Sequence, residues 1–262
     1  MYNFDFVKPS TIAEATAALA AEGAQAISGG QTLTPTLKQR LAQPAVLVSL
    51  TGIAEMKGVC LGDGGLSVGG ATPHAVVAAE AAKHYPALAA LAGGIGDPAV
   101  RNRGTIGGSI ANNDPAACYP AAVLGSGATV ITNRRRIAAD DYFTGLFSTA
   151  LDEGEIVTEV RFPIPQKAAY VKFNQPASRF ALTGVFVAKY ADGVRVAVTG
   201  ASNGGVFRWS EAEAALSRNF SPAAIDGLSV DAADMIHDLH GTPAYRANLV
   251  KVLTKRAVAA AG

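Results

Sequence analysis

Two glycine-rich segments hold the residues of this chain that are best suited to binding a ligand. The first reads SGGQT at residues 28–32, and the second, from Gly93 to Pro120, contains GTIGGS at residues 104–109. Glycine lets a backbone approach a bulky group closely, and backbone N–H groups in tight turns form concavities that bind anions. Polar side chains beside the glycines could bond phosphate or sugar oxygens: Thr32, Thr105, Ser109, Asn112 and Asp114. The pattern predicts one large phosphate-bearing ligand held between the loops, with a pair of purely structural loops as the alternative.

A third glycine pattern, GIGDPA at residues 94–99, matches a dinucleotide-binding fingerprint in its letters but not in its context. That fingerprint requires a strand before the glycines and a helix after them. Here helical sequence over residues 85–92 precedes the glycines, and irregular sequence is expected to follow, so a Rossmann site is disfavoured. The chain contains no Walker A motif. No spacing indicates a Ser-His-Asp or Cys-His catalytic group.

The histidines have structural interpretations beside their functional ones. His237 and His240 share a face of a predicted helix. A solvated face is favoured over a metal site, because no other histidine or cysteine lies near them in sequence. His74 begins a predicted helix, where it either lines a binding site or caps the helix.

The arginines of the glycine-rich segment and of residues 134–136, and Cys118, also have alternative interpretations. Residues 134–136 form an arginine run that is predicted to be a solvated hairpin tip, with partner docking as the alternative. Arg101 and Arg103 lie inside the long glycine-rich segment, where they either offset phosphate charge or pair with Asp97. Cys118 is a lone thiol, for which a structural role is the default.

The composition limits the classes of function. With 262 residues, 49% of them hydrophobic, the chain can form one large domain or two smaller ones. A formal net charge of +1 gives no reason to expect nucleic acid or an anionic membrane as a partner. No apolar run reaches the roughly 18 residues of a membrane-spanning helix, and the N-terminus lacks the pattern of a signal peptide.

The cysteine count limits the redox chemistry. Cys60 and Cys118 are far apart in sequence, so a disulfide framework is not expected and a reducing, cytoplasmic compartment is predicted. Two cysteines cannot provide the four thiolates that an iron–sulfur cluster usually requires. If this protein handles electrons through such a cluster, a partner must carry it.

Hydrophobic periodicity and turn signals predict an α/β or α+β protein that divides near residue 167. Short helices and strands are expected before that point: helices over 11–22, 34–41, 73–84, 86–92 and 121–124, and strands over 24–27, 46–50, 59–61, 66–68, 128–132 and 156–162. Thr11 and Glu14 form a capping box, and residues 62–65 signal a hairpin. Pro163 and Pro165 mark the boundary between the predicted domains, residues 1–167 and 168–262.

The second predicted domain is a small antiparallel sheet followed by helices. Its elements are expected as strands over 169–174, 182–190 and 194–199, and helices over 212–218, 222–227, 232–240 and 244–261. Ser210 and Glu213 form a second capping-box pattern at the start of the helical part.

Six landmarks follow one another along nearly the whole chain: the lead-in from Phe4 to Pro9, ISGGQTLTPTLK from Ile27, VGGATPH from Val68, GDPAVRNRGTIGGSIANNDPAA from Gly96, DEGEIVTEVRFPIP from Asp152 and AYVKF from Ala169. In these landmarks the chain resembles the FAD-binding medium subunits of molybdenum hydroxylases, the group of xanthine dehydrogenase, carbon monoxide dehydrogenase and aldehyde oxidase. The GDPAVRNRGTIGG part is highly specific, whereas the other pieces are weak alone.

The resemblance implies a fold and a cofactor site. FAD would lie between two α+β subdomains of the vanillyl-alcohol-oxidase type, and a C-terminal domain of antiparallel sheet and helices would follow. The first pyrophosphate loop would comprise Ile27, Ser28, Gly29, Gly30, Gln31, Thr32 and Leu33, and the second Gly104, Thr105, Gly107, Gly108 and Ser109. Further FAD contacts would come from Thr72, Ile95, Gly96, Val100, Asn112, Asp114 and Cys118, with Ile156 near the adenine and Lys172 near the isoalloxazine.

The chain departs from the family pattern at two places. Many relatives have an acidic residue where Cys118 stands, so a carboxylate acceptor for a flavin or ribityl hydroxyl is lost here. The basic residues that often follow the AYVKF-type strand are replaced by Asn174, Gln175 and Pro176, which bears on acceptor access or partner docking.

The resemblance implies an electron-transfer subunit, active as part of a complex. Electrons would pass from a molybdenum cofactor in a large subunit, through [2Fe–2S] clusters of a small subunit, to FAD in this chain. The flavin would then reduce an external acceptor such as a nicotinamide, a quinone or oxygen. No catalytic acid, base or metal ligand is expected in this chain. The alternatives are a free-standing FAD oxidoreductase and a structural subunit that has lost its flavin.

Overall fold

The protein, described by a computed structural model over residues 1–62 and 64–262, has an α+β fold. Its N-terminal part is a three-stranded parallel sheet, in the order β1-β3-β2, with two helices in the connections. These elements are β1 (Asp5–Val7), α1 (Ile12–Leu19), β2 (Ala24–Ile27), α2 (Leu33–Lys38) and β3 (Val46–Ser49). β2 is an edge strand of this sheet, and the loop that follows it lines the cleft described below.

A five-stranded antiparallel sheet follows, in the order β4-β5-β10-β6-β7. Its elements and the associated helices are β4 (Val59–Gly62), β5 (Gly65–Gly69), α3 (His74–Glu80), α4 (Pro86–Gly93), α5 (Pro98–Arg101), α6 (Ile106–Asn112), α7 (Tyr119–Gly125), β6 (Thr129–Thr132), β7 (Arg136–Ala138), α8 (Ala139–Tyr142), the two-stranded ribbon of β8 (Phe143–Gly145) and β9 (Ser148–Thr149), and β10 (Val157–Phe162). The predicted hairpin turn includes Asp63, which lies outside the described residues, and the strands on either side of it pair as predicted.

The C-terminal part is a four-stranded antiparallel meander with a long helix packed on it. The elements are β11 (Lys167–Asn174), β12 (Ala181–Lys189), β13 (Val194–Ser202), β14 (Gly205–Arg208), α9 (Ser210–Arg218) and α10 (Pro243–Ala261). A 3₁₀ helix, Pro222–Ile225, lies between the two helices. The predicted domain boundary falls one residue into β11, and it stays a prediction.

Buried apolar residues form three clusters, one for each of these parts. The largest packs α4 and α7 on the five-stranded sheet, and it includes Phe186 and Ala197 from the meander. The meander therefore packs directly on the middle of the molecule. In α10, the buried Arg246 donates to the carbonyls of Leu182 and Gly200 at 2.6 Å and to Asp238 Oδ2 at 2.7 Å, which ties the long helix to β12 and β13.

The prediction of irregular structure for the glycine-rich segment was wrong, because the segment is helical at two places. Asp97 caps α5 by accepting the Val100 N–H at 2.9 Å, with Pro98 at the first helical position. Thr105 caps α6 by accepting the Gly108 N–H at 3.3 Å. Local caps start these helices, which are too short to show an apolar period.

Two further predictions at the C-terminal end were wrong. Residues 232–240 are not a helix, because the carboxylates of Asp231 and Asp238 accept nearby backbone N–H groups in turns. The second capping box does not form either. Trp209 is the residue before α9, and Glu213 instead bonds Arg208 and the Val196 N–H.

The arginine run at the β6–β7 hairpin is exposed, as predicted, and Arg134 and Arg135 also form ion pairs with nearby carboxylates, one of which is buried. Glu155 accepts hydrogen bonds from Arg135 at 2.9 and 3.0 Å, from Thr132 at 2.6 Å and from the Asp152 N–H at 2.9 Å. Glu155 is only 7% exposed. These bonds, chiefly those from Arg135, lower the pKa of Glu155 to about 2.

We therefore expect acid to destabilise the fold through Glu155. The folded-state pKa lies below the ordinary value of 4.5, so this stabilisation is fully present above about pH 4.5 and is lost as the pH falls toward 2. Glu155→Gln should lower the free energy of unfolding by about 2 kcal/mol at pH 7 and flatten the pH dependence over that window. Urea unfolding at several pH values, with the exposed neighbour variant Glu153→Gln as control, measures this. Equal pH profiles for the two variants would contradict it.

Candidate functional site

A cleft of about 610 Å³ runs between the β2–α2 loop, the segment from α4 to α7, and the β11–β12 hairpin. It brings together nearly all the residues that the sequence analysis selected: Ile27, Ser28, Gly29, Gly30, Gln31, Thr32, Leu33, Ile95, Gly96, Val100, Gly104, Thr105, Gly107, Gly108, Ser109, Asn112, Asp114, Cys118, Ile156 and Lys172. Thr72 is the exception. It is fully buried, and its hydroxyl bonds the backbone of Gly58 instead. The volume lies in the range of sites for small molecules and cofactors.

The first glycine loop presents unused hydrogen-bond donors to the cleft. Gly30 has a φ of +69°, a conformation that glycine adopts without strain. Within the part of the chain that the structure describes, no acceptor meets the backbone N–H groups of residues 29–32. Thr32 and Gln31 are exposed at the same loop. The loop can therefore donate several hydrogen bonds to one anionic group, as predicted from its glycines.

The second loop differs from that expectation, because the protein itself uses most of its N–H groups. The Ile106 N–H donates to Thr72 O, the Gly107 N–H to Gly70 O, and the Ser109 N–H to Thr105 O. This loop therefore contributes mainly small residues to the wall of the cleft. The exposed Gly108 and the neighbouring Ser109 both line it.

The two loops touch each other through backbone and hydroxyl groups. A Cβ atom on Gly29 would lie 2.2 Å from the carbonyl oxygen of Arg103 and 2.6 Å from the Cα of Gly104. The hydroxyl of Thr105 lies 2.8 Å from the hydroxyl of Ser28. The loops thus form one continuous surface, and Gly29 cannot be replaced without separating them.

The opposite end of the cleft is positively charged. The Lys172 ammonium donates to the carbonyls of Gly94 at 2.8 Å and Arg179 at 2.7 Å, and it lies 3.6 Å from Cys118 Sγ. The Arg179 guanidinium approaches Gly96 O at 3.4 Å. These contacts hold the β11–β12 hairpin against the turn at residues 94–96.

Arg101 does not pair with Asp97, which was one of its two predicted partners. Its guanidinium donates to the carbonyls of Ile95 and Gly96 at 3.0 and 2.9 Å, which braces the turn beside Lys172. Asp97 is used as the cap of α5. Arg101 therefore stabilises the turn at residues 94–96, which lines the cleft.

The centre of the cleft carries polar side chains. Asp114 Oδ1 accepts the Ala116 N–H at 2.8 Å, and Asn112 is half-buried beside it. Between them, Asn113 takes a left-handed conformation with a φ of +43° and ends α6. Its buried amide donates to Gly145 O and Ser148 O, which fixes the end of α6 against the β8–β9 ribbon. This role of Asn113 was not predicted, although the sequence Asn-Asn-Asp-Pro at residues 112–115 is typical of a turn.

His74 lines the cleft and is also the first residue of α3. It is 5% exposed, and its backbone N–H donates to Gly104 O at 2.9 Å. Burial, and then the charge of Arg101, lowers the pKa of His74 to about 4. The imidazole is therefore neutral at neutral pH, and its Nδ1 atom has no partner among the described residues.

Other lining residues were not selected from the sequence. They come from the β11–β12 hairpin and from the strands around the first loop: Gln25, Ala26, Leu50, Glu155, Val157, Ser178, Arg179 and Phe180. Phe180 is 54% exposed, and nothing in its local pattern indicates a site. Only the packing of the meander on the middle of the molecule brings the hairpin residues Ser178, Arg179 and Phe180 to the cleft.

Among the described residues, no group of three or more His, Cys, Asp or Glu side chains could hold a metal ion, and neither His237 nor His240 lies on a helix. In the same residues no helix is both long and apolar enough to span a bilayer.

Comparisons with known proteins agree with one another. Residues 2–165 match the family model described as the FAD binding domain in molybdopterin dehydrogenase. The chain is 34% identical to the nicotine 6-hydroxylase medium subunit of Paenarthrobacter nicotinovorans, over 98% of this chain and 96% of that one. It is 31% identical to the carbon monoxide dehydrogenase medium chain of Hydrogenophaga pseudoflava, with the same coverage.

Solved structures give the same relationship. A chain of the reconstituted CO dehydrogenase from Oligotropha carboxidovorans superposes with a TM-score of 0.91 at 29% identity, over 99% of this chain and 98% of that chain. A chain of quinoline 2-oxidoreductase from Pseudomonas putida 86 superposes with a TM-score of 0.88 at 28% identity, over 99% and 97%. Since the family model covers more than half of the chain and the relatives cover nearly all of it, this chain belongs to the FAD-binding medium subunits of the molybdenum hydroxylases.

Proposed function

We propose that the cleft holds FAD, with the pyrophosphate against the two glycine loops. The observation that carries this proposal is the set of unused N–H donors at residues 29–32. An anion in a concavity of backbone N–H groups needs no charged side chain to hold it. The hydroxyls of Thr32, Thr105 and Ser109 add donors along the same wall.

The remaining lining residues suit the other parts of this cofactor. Asn112 and Asp114 can bond sugar or ribityl hydroxyls, because Asp114 keeps one carboxylate oxygen free of the Ala116 N–H. Ile156, near the first loop, offers an apolar contact for the adenine. Lys172 lies at the other end, where its ammonium faces the isoalloxazine in this assignment. A fixed cation there favours the negative charge that reduction adds to a flavin.

We further propose that this subunit passes electrons from a partner to an external acceptor. FAD supplies the chemistry when bound, since it accepts electrons and releases them to a second acceptor. The chain itself orients the cofactor and sets the charge around it. Its two free cysteines cannot hold an iron–sulfur cluster, so [2Fe–2S] clusters would reside in a small partner subunit.

The names of the relatives support a complex. They are medium subunits and medium chains, and one solved relative lacks the Mo-pyranopterin moiety of its molybdenum cofactor. A large partner subunit would therefore hold the molybdenum cofactor and oxidise the substrate. A nicotinamide, a quinone or oxygen would be the acceptor, and the free thiols suit a cytoplasmic compartment.

The first test is the cofactor content of the purified chain. We expect flavin absorbance near roughly 375 and 450 nm and release of FAD on denaturation. Added FAD at about 100 times its Kd should raise the free energy of unfolding by about 2.7 kcal/mol. A tagged chain should also recover iron–sulfur and molybdopterin subunits from its own cells. A colourless chain that takes up no FAD would contradict the proposal, and turnover by the chain alone would favour a free-standing oxidoreductase.

Gly108→Asp tests the pyrophosphate position. A Cβ on Gly108 would meet only Thr105 Oγ1 at 3.1 Å and Ser28 Cβ at 3.8 Å, so a side chain there points into the cleft. Two unit charges about 4 Å apart repel by about 4 kcal/mol at a surface-like dielectric, which should remove FAD binding. An acidic residue in the first turn of α6 suits the helix dipole, so the thermal midpoint of the FAD-free protein should not fall.

Gly108→Asn is the matched control, because it adds nearly the same volume without the charge. Its FAD affinity should lie between those of the wild type and Gly108→Asp. Unchanged flavin content in purified Gly108→Asp would remove this loop from the pyrophosphate site.

Lys172→Met tests the charge at the flavin end. Loss of the ammonium should lower the two-electron potential of bound FAD by about 30 mV, equivalent to about 1.4 kcal/mol. A redox titration measures this, with Lys167→Met as control. Lys167 lies on the same strand but donates to the carbonyl of Gly262, away from the cleft. Equal potentials in the two variants would exclude Lys172 from the flavin environment.

A further inference from the structure

The turn from Asp114 to Cys118 forms the middle of the cleft wall, and each of its residues except Pro115 lines the cleft. One side of the turn is bonded to itself. Asp114 Oδ1 accepts the Ala116 N–H at 2.8 Å, and Asp114 O accepts the Ala117 N–H at 2.9 Å. Because the Asp114 side chain is part of this small unit, the direction of its carboxylate depends on how the whole turn is held.

The other side of the turn is held by Thr199, a residue of β13 in the meander. The Thr199 hydroxyl donates to Pro115 O at 2.9 Å and to Ala117 O at 2.8 Å, so that one hydrogen is shared between two carbonyls. The neighbouring Gly200 donates its N–H to Pro115 O at 2.7 Å. Among the described residues no backbone N–H donates to Ala117 O. The Thr199 hydroxyl, which is fully buried, is therefore the partner of that carbonyl.

β13 departs from regular strand pairing at the residues that make these contacts. Its register with β14 shifts between Val198 and Ser202. Within this irregular stretch Gly200 has a φ of +81°, and a Cβ atom there would lie 2.4 Å from Ala181 O. Arg246 fixes the stretch from the other side by donating to Gly200 O at 2.6 Å. Irregularities of this kind redirect side chains beside functional sites, and here the redirected groups meet the cleft wall.

We propose that Thr199 is a positioning residue for the cofactor, which holds the turn at residues 114–118 so that Asp114 is presented to a sugar or ribityl hydroxyl of FAD. This inference rests on the proposed function, because it needs FAD in the cleft. Thr199 does not itself line the cleft. It also lies beyond residues 2–165, the part of the chain that matches the FAD-binding family model. The C-terminal part of the chain thus completes the site through one buried hydroxyl.

Loss of this hydroxyl should weaken FAD binding, and not only the fold. In the FAD-free chain the turn borders an open cleft, so it can shift and pair Ala117 O with water. Bound FAD needs the turn in its original place, where Ala117 O would be left without a donor. Leaving a buried acceptor unpaired costs enough to change a dissociation constant about tenfold. That cost appears in the Kd for FAD because only the bound state requires the unpaired arrangement.

The experiment titrates FAD into the FAD-depleted full chain and follows flavin fluorescence. Thr199→Val keeps the shape of the side chain without the hydroxyl, and it should raise the Kd about tenfold. Thr199→Ser keeps the hydroxyl and should restore most of the affinity. Thr183→Val is the matched control, because Thr183 is equally buried on the neighbouring strand and its hydroxyl donates only to Leu182 O, at 2.9 Å. If Thr199→Val does not fold, Thr199→Ala makes the same comparison with Thr183→Ala.

A double-mutant cycle separates positioning from a general loss of stability. Asp114→Asn keeps an acceptor for the Ala116 N–H and removes the charge that faces the cofactor. If Thr199 acts through Asp114, the Kd of the double variant should lie at least about threefold below the product of the two single effects. In the Thr183→Val background, Asp114→Asn should have the same effect as in the wild type. Independent effects of Thr199→Val and Asp114→Asn would overturn the proposal.

The outcomes also distinguish this inference from the proposed function on which it rests. A wild-type chain that takes up no FAD would overturn both. Tight and equal FAD binding by the wild type, Thr183→Val and Thr199→Val would leave the FAD site in place and overturn only the role of Thr199. A weakened Thr199→Val that Thr199→Ser does not rescue would likewise contradict a role for the hydroxyl.

Discussion

Close contact between two glycine loops is the constraint on which the cleft depends. Gly29 lies against the backbone of Arg103 and Gly104 with no room for a Cβ atom. Gly107 is similarly placed, since a Cβ there would lie 2.6 Å from the carbonyl oxygen of Gly70. These contacts use the backbone groups of the second loop for structure and leave those of the first loop free. The first loop is therefore the one whose backbone N–H groups remain available for the anion that we propose binds there.

The same contacts join the separate parts of the molecule at the cleft. The first loop belongs to the parallel sheet, the second to the segment before α7, and Lys172 to the meander. Lys172 bridges the last two by bonding the carbonyls of Gly94 and Arg179. A ligand in the cleft would therefore contact all three parts, and its binding would favour the assembled arrangement over any local opening. Lys172 consequently has a mechanical role in the cleft wall as well as an electrostatic one.

The sequence predicted the loops and most strands, because glycine spacing and buried apolar runs are local signals. The choice of α+β over α/β came from the resemblance to a family and not from these signals. It did not predict α5 and α6, whose starts depend on the caps Asp97 and Thr105 rather than on an apolar period. It selected Thr72, whose hydroxyl is instead used to hold Gly58. Phe180 and Arg179 could not be selected, because a hairpin from a distant part of the chain brings them to the cleft only after the meander packs on the core.

Unpaired polar groups of two kinds occur in the described residues. Five buried side-chain atoms lack a hydrogen-bond partner: His74 Nδ1, Tyr119 Oη, Tyr142 Oη, Tyr170 Oη and Arg246 Nε. Of these five residues, His74 lines the cleft. The unpaired backbone N–H groups of residues 29–32 lie along the same cleft. A phosphate bound there would accept from donors that the fold leaves open, whereas the second loop, whose N–H groups are mostly bonded already, would contribute mainly space.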